Sequence, residues 1–112
     1  MISPECEPVA SLALLMIDLA NMLEEHLNTG HATFAAWTAG NLQQVLKEGE
    51  AEGILLEDPK KAIEVLERVK ALEKLGIVTE LTDEMLDASR EAKKAVQDLA
   101  LDSLVTCECR RR

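Results

Sequence analysis

Three cysteines, two histidines, one tryptophan and a cluster of carboxylates are the side chains with the chemistry to carry a function. Cys6 stands near one end, Cys107 and Cys109 near the other. They could form a disulfide or part of a metal site only where folding brings the two ends together, as an up-down-up-down bundle would. Three is an odd number, and a reducing compartment keeps such residues as thiols. The expectation is free thiols on frayed termini of a cytoplasmic protein.

His26 and His31 flank Gly30, with Glu24 and Glu25 nearby in sequence. A metal site in a helical bundle draws inward-facing ligands from several helices, for instance a Glu-x-x-His pair repeated on two of them. That pattern is missing here. Histidines on either side of a glycine turn read as solvated loop residues. The chain also lacks a Gly-rich phosphate loop, a His-Glu-x-x-His pair and a nucleophile elbow. No metal, no cofactor and no catalytic residue is expected, and the protein is expected not to be an enzyme.

Two features point to binding instead. On a helical wheel Trp37 falls beside Thr33, Asn41, Gln44 and Glu48, on the polar side of its helix and away from Leu42 and Val45. Such a tryptophan either folds over Phe34 or under the Ile54-Leu55-Leu56 run, or it anchors a partner, a role in which Trp is enriched. The second feature is acidic. Glu84, Asp87, Glu91, Asp98 and Asp102 share a sector about 60° wide at 100° per residue, with Lys94 at its edge. Along the axis they average about one carboxylate per 7 Å at 1.5 Å per residue. One DNA strand carries a charge every ~3.4 Å, so the stripe has about half that density. A solvated helix face is the simpler reading, and a nucleic-acid mimic is the alternative.

Composition narrows the classes further. The 112 residues are 47% apolar with a formal net charge of −9, and no Lys or Arg precedes Lys47. Strong negative charge argues against direct binding of nucleic acid or an anionic membrane. It favours a protein partner with a basic or apolar surface.

The elements that position these residues follow from periodicity. Residues 9–28 form a helix apolar over about twice the usual ~100° arc, so it should have neighbours on several sides. It lacks the length to span a bilayer, which needs ~20 apolar residues, and Asp18 sits in its middle. Glu5 and Glu7 stand where a secretory signal would be positive. Gly30 suits the left-handed closing position, and the second helix, 32–48, should stop at Gly49. Its core arc contains Phe34, Ala35, Ala39, Leu42, Val45 and Leu46, and small Ala32, Ala36 and Gly40 would admit a close neighbour. Asp58-Pro59 starts a third helix, 59–75, ended by Gly76, with Glu64 and Arg68 as an i, i+4 pair. Thr82 caps the fourth, 83–104, with Leu81 and Leu86 as a hydrophobic staple. Its small apolar face (Met85, Ala88, Ala92, Ala95, Val96, Leu99) should pack on helix one.

The expected architecture is therefore all-α: one domain, a four-helix antiparallel bundle with short polar termini at 1–8 and 105–112. The expected function is non-enzymatic binding of another protein, as an inhibitor, adaptor or subunit, through the Trp37 face. Phage-encoded inhibitors of host machinery include small acidic helical proteins of this size. Helices one and two should leave apolar surface uncovered, for a partner or for a homodimer.

Overall fold

The computed structural model describes residues 3–75 and 83–111, except for the side chains of 32, 72–75, 85 and 111. A 3-10 turn at Pro4–Cys6 leads into α1 (Glu7–Asn28), followed by α2 (Ala32–Ala51), α3 (Lys60–Leu75) and α4 (Asp83–Arg111). Helix α1 packs against α2 and α4, and α3 closes the ring between α2 and α4. This is the all-α four-helix bundle that the spacing predicts. Its radius of gyration is 14.7 Å, against about 13 Å for a compact chain of this length. The 29 residues of α4 reach about 43 Å at 1.5 Å per residue, which accounts for the 51 Å long axis.

Both described inter-helix turns at the α2 ends follow from a glycine. Gly30 has φ +80° and Gly53 has φ +71°. At the first turn the N–H of His31 donates to the His26 carbonyl, at 2.7 Å. At the second the N–H of Ile54 donates to the Gly49 carbonyl, at 3.0 Å. Each is a six-residue closure around a left-handed residue. The expected stop at Gly49 is thus displaced to Gly53. Gly49 serves a different purpose, since a Cβ there would lie 2.8 Å from Leu12 Cδ2 and 3.5 Å from Leu55 Cβ. Its bare Cα lets α1 and the connector close on α2. The small stripe does not act this way at Gly40, where a Cβ would meet nothing within 4 Å.

Asp58 caps α3 as expected, its Oδ1 accepting the N–H of Lys60 at 2.9 Å. The connector is a plug, with Leu55 buried in the core. Arg68 reaches across to Glu91 of α4 at 3.2 Å, not back along its own helix to Glu64. The Gly76 stop, the Thr82 cap and Leu81 of the staple lie outside the described residues, as does the side chain of Met85.

Helix α1 lacks the neighbours on several sides expected of it, and it leaves apolar surface uncovered, as expected of the α1–α2 hairpin. Val9, Ala13, Met16, Ala20, Leu23 and Leu27 are buried on one face, but Leu14, Leu15 and Met22 are 64, 46 and 40% exposed. Two neighbours, α2 and α4, cover about half a helix, and the remaining apolar arc faces outward. Length does not exclude α1 from crossing a bilayer, because Pro4–Asn28 is long and apolar enough by composition. Asp18 and the packing of its inner face stand against that.

Residues 3–8 and 105–111 are also more ordered than expected. Helix α4 continues to Arg111, and Cys6 is bonded to Cys107, with Cα atoms 6.0 Å apart. Ser3 donates from its N–H to Glu108 Oε1 at 2.9 Å and from its hydroxyl to Oε2 at 3.0 Å. Of the three cysteines only Cys109, exposed on α4, is a free thiol. The expectation of three free thiols rests on their odd number and a reducing compartment, and it fails for Cys6 and Cys107, which the expected bundle topology brings within bonding distance.

Candidate functional site

The chain has two aromatic residues of the Phe, Trp and Tyr class, and both lie on the surface of α2. Phe34 is 55% and Trp37 65% exposed. Three residues apart, they stand on neighbouring positions of the helix surface. With Thr33 they line a shallow depression of about 320 Å³. The core is filled without aromatic rings, by Leu, Val, Met and Ala.

Phe34 was expected in the core and is not there. It sits in the first turn of α2, where α1 is already ending, and its ring neighbours are the two histidines. The His26 ring lies 5.7 Å away at a tilt and the His31 ring 5.5 Å away edge-on. Thr29 Oγ1 lies 3.1 Å from His31 Nδ1 and holds the turn by contacts of 3.0 and 3.1 Å to the Glu25 and His26 carbonyls. The histidines therefore frame an aromatic shelf. Among the described residues no three of His, Cys, Asp and Glu are grouped as metal ligands.

The residues expected around Trp37 are brought together on one surface. Thr33, Gln44 and Glu48 are exposed and Asn41 is half-buried. Gln44 Nε2 donates to Glu48 Oε1 at 2.9 Å. Trp37 lies neither under the connector nor under another helix.

The His26–Phe34 contact at one end and the Leu12–Gly49 approach at the other set α1 antiparallel to α2. In that register Met22 comes about level with Trp37 and Thr38, and Leu15 with Val45. Leu15 and Met22 lie on the side of α1 that turns toward α2, with half-buried Leu19 between them. An apolar seam thus runs from Leu15 through Met22 to Phe34 and Trp37. Leu14 lies on the other side of Ser11, Asp18 and Glu25. It borders α4, where Leu101 and Val105 are also exposed.

The acidic stripe of α4 is present. Glu84, Asp87, Glu91, Asp98 and Asp102 are all exposed. Basic groups interrupt it, with Arg68 paired to Glu91 and Lys94 exposed at its edge. Folding adds something that spacing along one helix could not show. Asp98 and Asp102 meet Glu57, Asp58 and Lys61 around a cleft of about 330 Å³. Thr106 Oγ1 donates to Glu57 at its margin.

Compared with protein-family models, curated proteins and solved structures, the chain matches none.

Proposed function

We propose that the protein is a non-enzymatic binding module that docks another protein through the α1–α2 face, with Trp37 and Phe34 as anchors. The observation that carries this reading is the placement of both aromatic residues on the surface, side by side, while the core is built without either. Exposed aromatic side chains gain most when a partner removes them from water, and Trp leads the residues that dominate interfaces. Met22 and Leu15, exposed on the adjoining side of α1, add apolar area. Roles as an inhibitor, adaptor or subunit all fit a module of this kind.

The test compares proteins retained by the wild-type chain with those retained by Trp37→Ala and Phe34→Ala. An anchor contributing about 2 kcal/mol corresponds to about thirtyfold in affinity, enough to empty the retained fraction while helical content stays constant. A variant that unfolds, or a Trp37 emission spectrum already shielded from water in a strict monomer, would overturn the reading.

The aligned, exposed carboxylates of α4 support a second reading, a nucleic-acid mimic seated in a basic groove. Reversing Asp87, Glu91 and Asp98 to Lys should then abolish partner binding and leave the fold intact. Binding that tolerates the reversal, and that is insensitive to salt in spite of screening within about 10 Å at 0.1 M, excludes it.

A further inference from the structure

Resting on the reading of the α1–α2 face as a docking surface, we infer that its occupant is a cationic amphipathic helix of the partner protein. The helix would lie along the seam with its apolar stripe on Leu15, Met22, Phe34 and Trp37.

Shape comes first. From Leu15 to the level of His26 the seam is about 16 Å long, or three turns of α-helix. Leu15 stands about two turns from the level of Met22 and Trp37, with half-buried Leu19 between, and Phe34 about one turn beyond, a spacing that the anchors of a helix laid in a groove can match.

Charge selects the class of helix. Among the described residues, the ionic groups beside the seam are Asp18 and Glu25 on α1 and Glu48 on α2, all exposed and placed there by the 100° period. The first cation in the sequence is Lys47, set about 80° around α2 from Trp37 at 100° per residue, on the side away from α1. A ligand whose apolar stripe is bordered by Lys or Arg meets carboxylates on both flanks. A second copy of this chain would instead bring carboxylate against carboxylate, with a formal charge of −9 on each partner. Anionic lipid meets the same repulsion. Complementary charge speeds encounter and excludes wrong partners even where it adds little to the final affinity.

A fluorescein-labelled peptide of about 18 residues, long enough to hold a helix, tests this by anisotropy. It carries Leu at i, i+3, i+4 and i+7 with Lys elsewhere, and its counterpart carries Glu for every Lys. The full-length chain should bind the Lys peptide and not the Glu peptide. Trp37→Ala should weaken binding about thirtyfold. Asp18→Asn with Glu25→Gln should weaken it about fivefold, the scale of two exposed charge contacts. Asp98→Asn with Asp102→Asn should leave it unchanged, and circular dichroism should show every variant folded.

Equal binding of both peptides, lost with Trp37→Ala, would overturn the cationic partner but leave the docking surface standing. Lys-peptide binding that ignores Trp37→Ala and disappears with the Asp98 and Asp102 changes would overturn both readings. Absence of peptide binding overturns the proposal in three distinguishable ways. A chain that sediments as a dimer, and as a monomer after Trp37→Ala, is occupied by its own copy. One that binds phosphatidylcholine vesicles with a blue shift of Trp37 emission has a lipid-facing surface. One that stays monomeric and does neither has no docking surface there.

Discussion

Thr38 is buried on the side of α2 that meets α1, and its Oγ1 has no hydrogen-bond partner. Ser89 and Ser103 of α4 are in the same position. An unsatisfied buried hydroxyl has lost its water and gained nothing in return, at a cost of about 1–3 kcal/mol. Thr38→Val keeps the branched shape and removes that cost, so it should raise stability by about 1 kcal/mol and the melting temperature by a few degrees. A valine variant that melts lower would show that the hydroxyl is bonded to its own helix backbone. Gln43 is the contrasting case, almost fully buried and fully engaged. Its Nε2 donates to the Ile63 carbonyl at 3.2 Å and to Glu67 Oε2 at 2.8 Å, while Lys70 Nζ donates to its Oε1 at 3.0 Å. That network fixes how α2 and α3 sit together, and nothing in the apolar periodicity of α2 announces it.

At the level of elements, α1 governs the bundle through one face only. Leu23 is fully buried between α2 and α4, whereas Leu19 is half-buried on the α2 side. Leu23→Ala should cost about 2–5 kcal/mol, the transfer energy plus a residual cavity. Leu19→Ala should cost under about 2 kcal/mol, because part of its surface is already in water. Denaturant melts giving equal losses would contradict the one-sided burial of α1. The same one-sidedness makes the docking surface possible, since a helix apolar over more than its neighbours cover leaves the remainder exposed. Helix α4 meets its charged outer face differently, with Arg68 and Lys93 reaching Glu91 and Glu24 across the inter-helix seams.

Across the whole molecule, the Cys6–Cys107 bond joins the two ends over a sequence separation of 101 residues. Closing a loop of that size restricts the unfolded chain by up to about 4–5 kcal/mol in the chain-entropy treatment. Reduction should therefore lower the melting temperature, and Cys6→Ser should reproduce the loss and abolish any further response to reductant. Cys109→Ser should melt like the oxidised parent. Identical melting with and without reductant would show that the pair contributes nothing. A cytoplasmic location would keep the pair reduced and the protein in its less stable form, while an oxidising compartment would close it.

What the sequence determined alone was the set of helices and most of their limits. The 3.6-residue period, Gly30 at the first turn and Asp58-Pro59 at the start of α3 act locally, and local causes are visible in a linear string. It also placed Trp37 among Thr33, Asn41, Gln44 and Glu48, because a wheel needs only one helix. What tertiary structure decided was everything that depends on a second element. Gly49 reads as a stop in the linear sequence, yet Leu12 lies against it and Gly53 closes the helix instead. Phe34 follows the apolar period and so reads as core, yet at the end of α1 only the His26 and His31 rings, among the described residues, stand beside it, and it stays exposed. The termini looked frayed because their polarity is local, whereas the disulfide and the Ser3–Glu108 bonds depend on which end of the bundle each terminus reaches. Periodicity says which side of a helix is apolar, and only packing says how much of that side is covered.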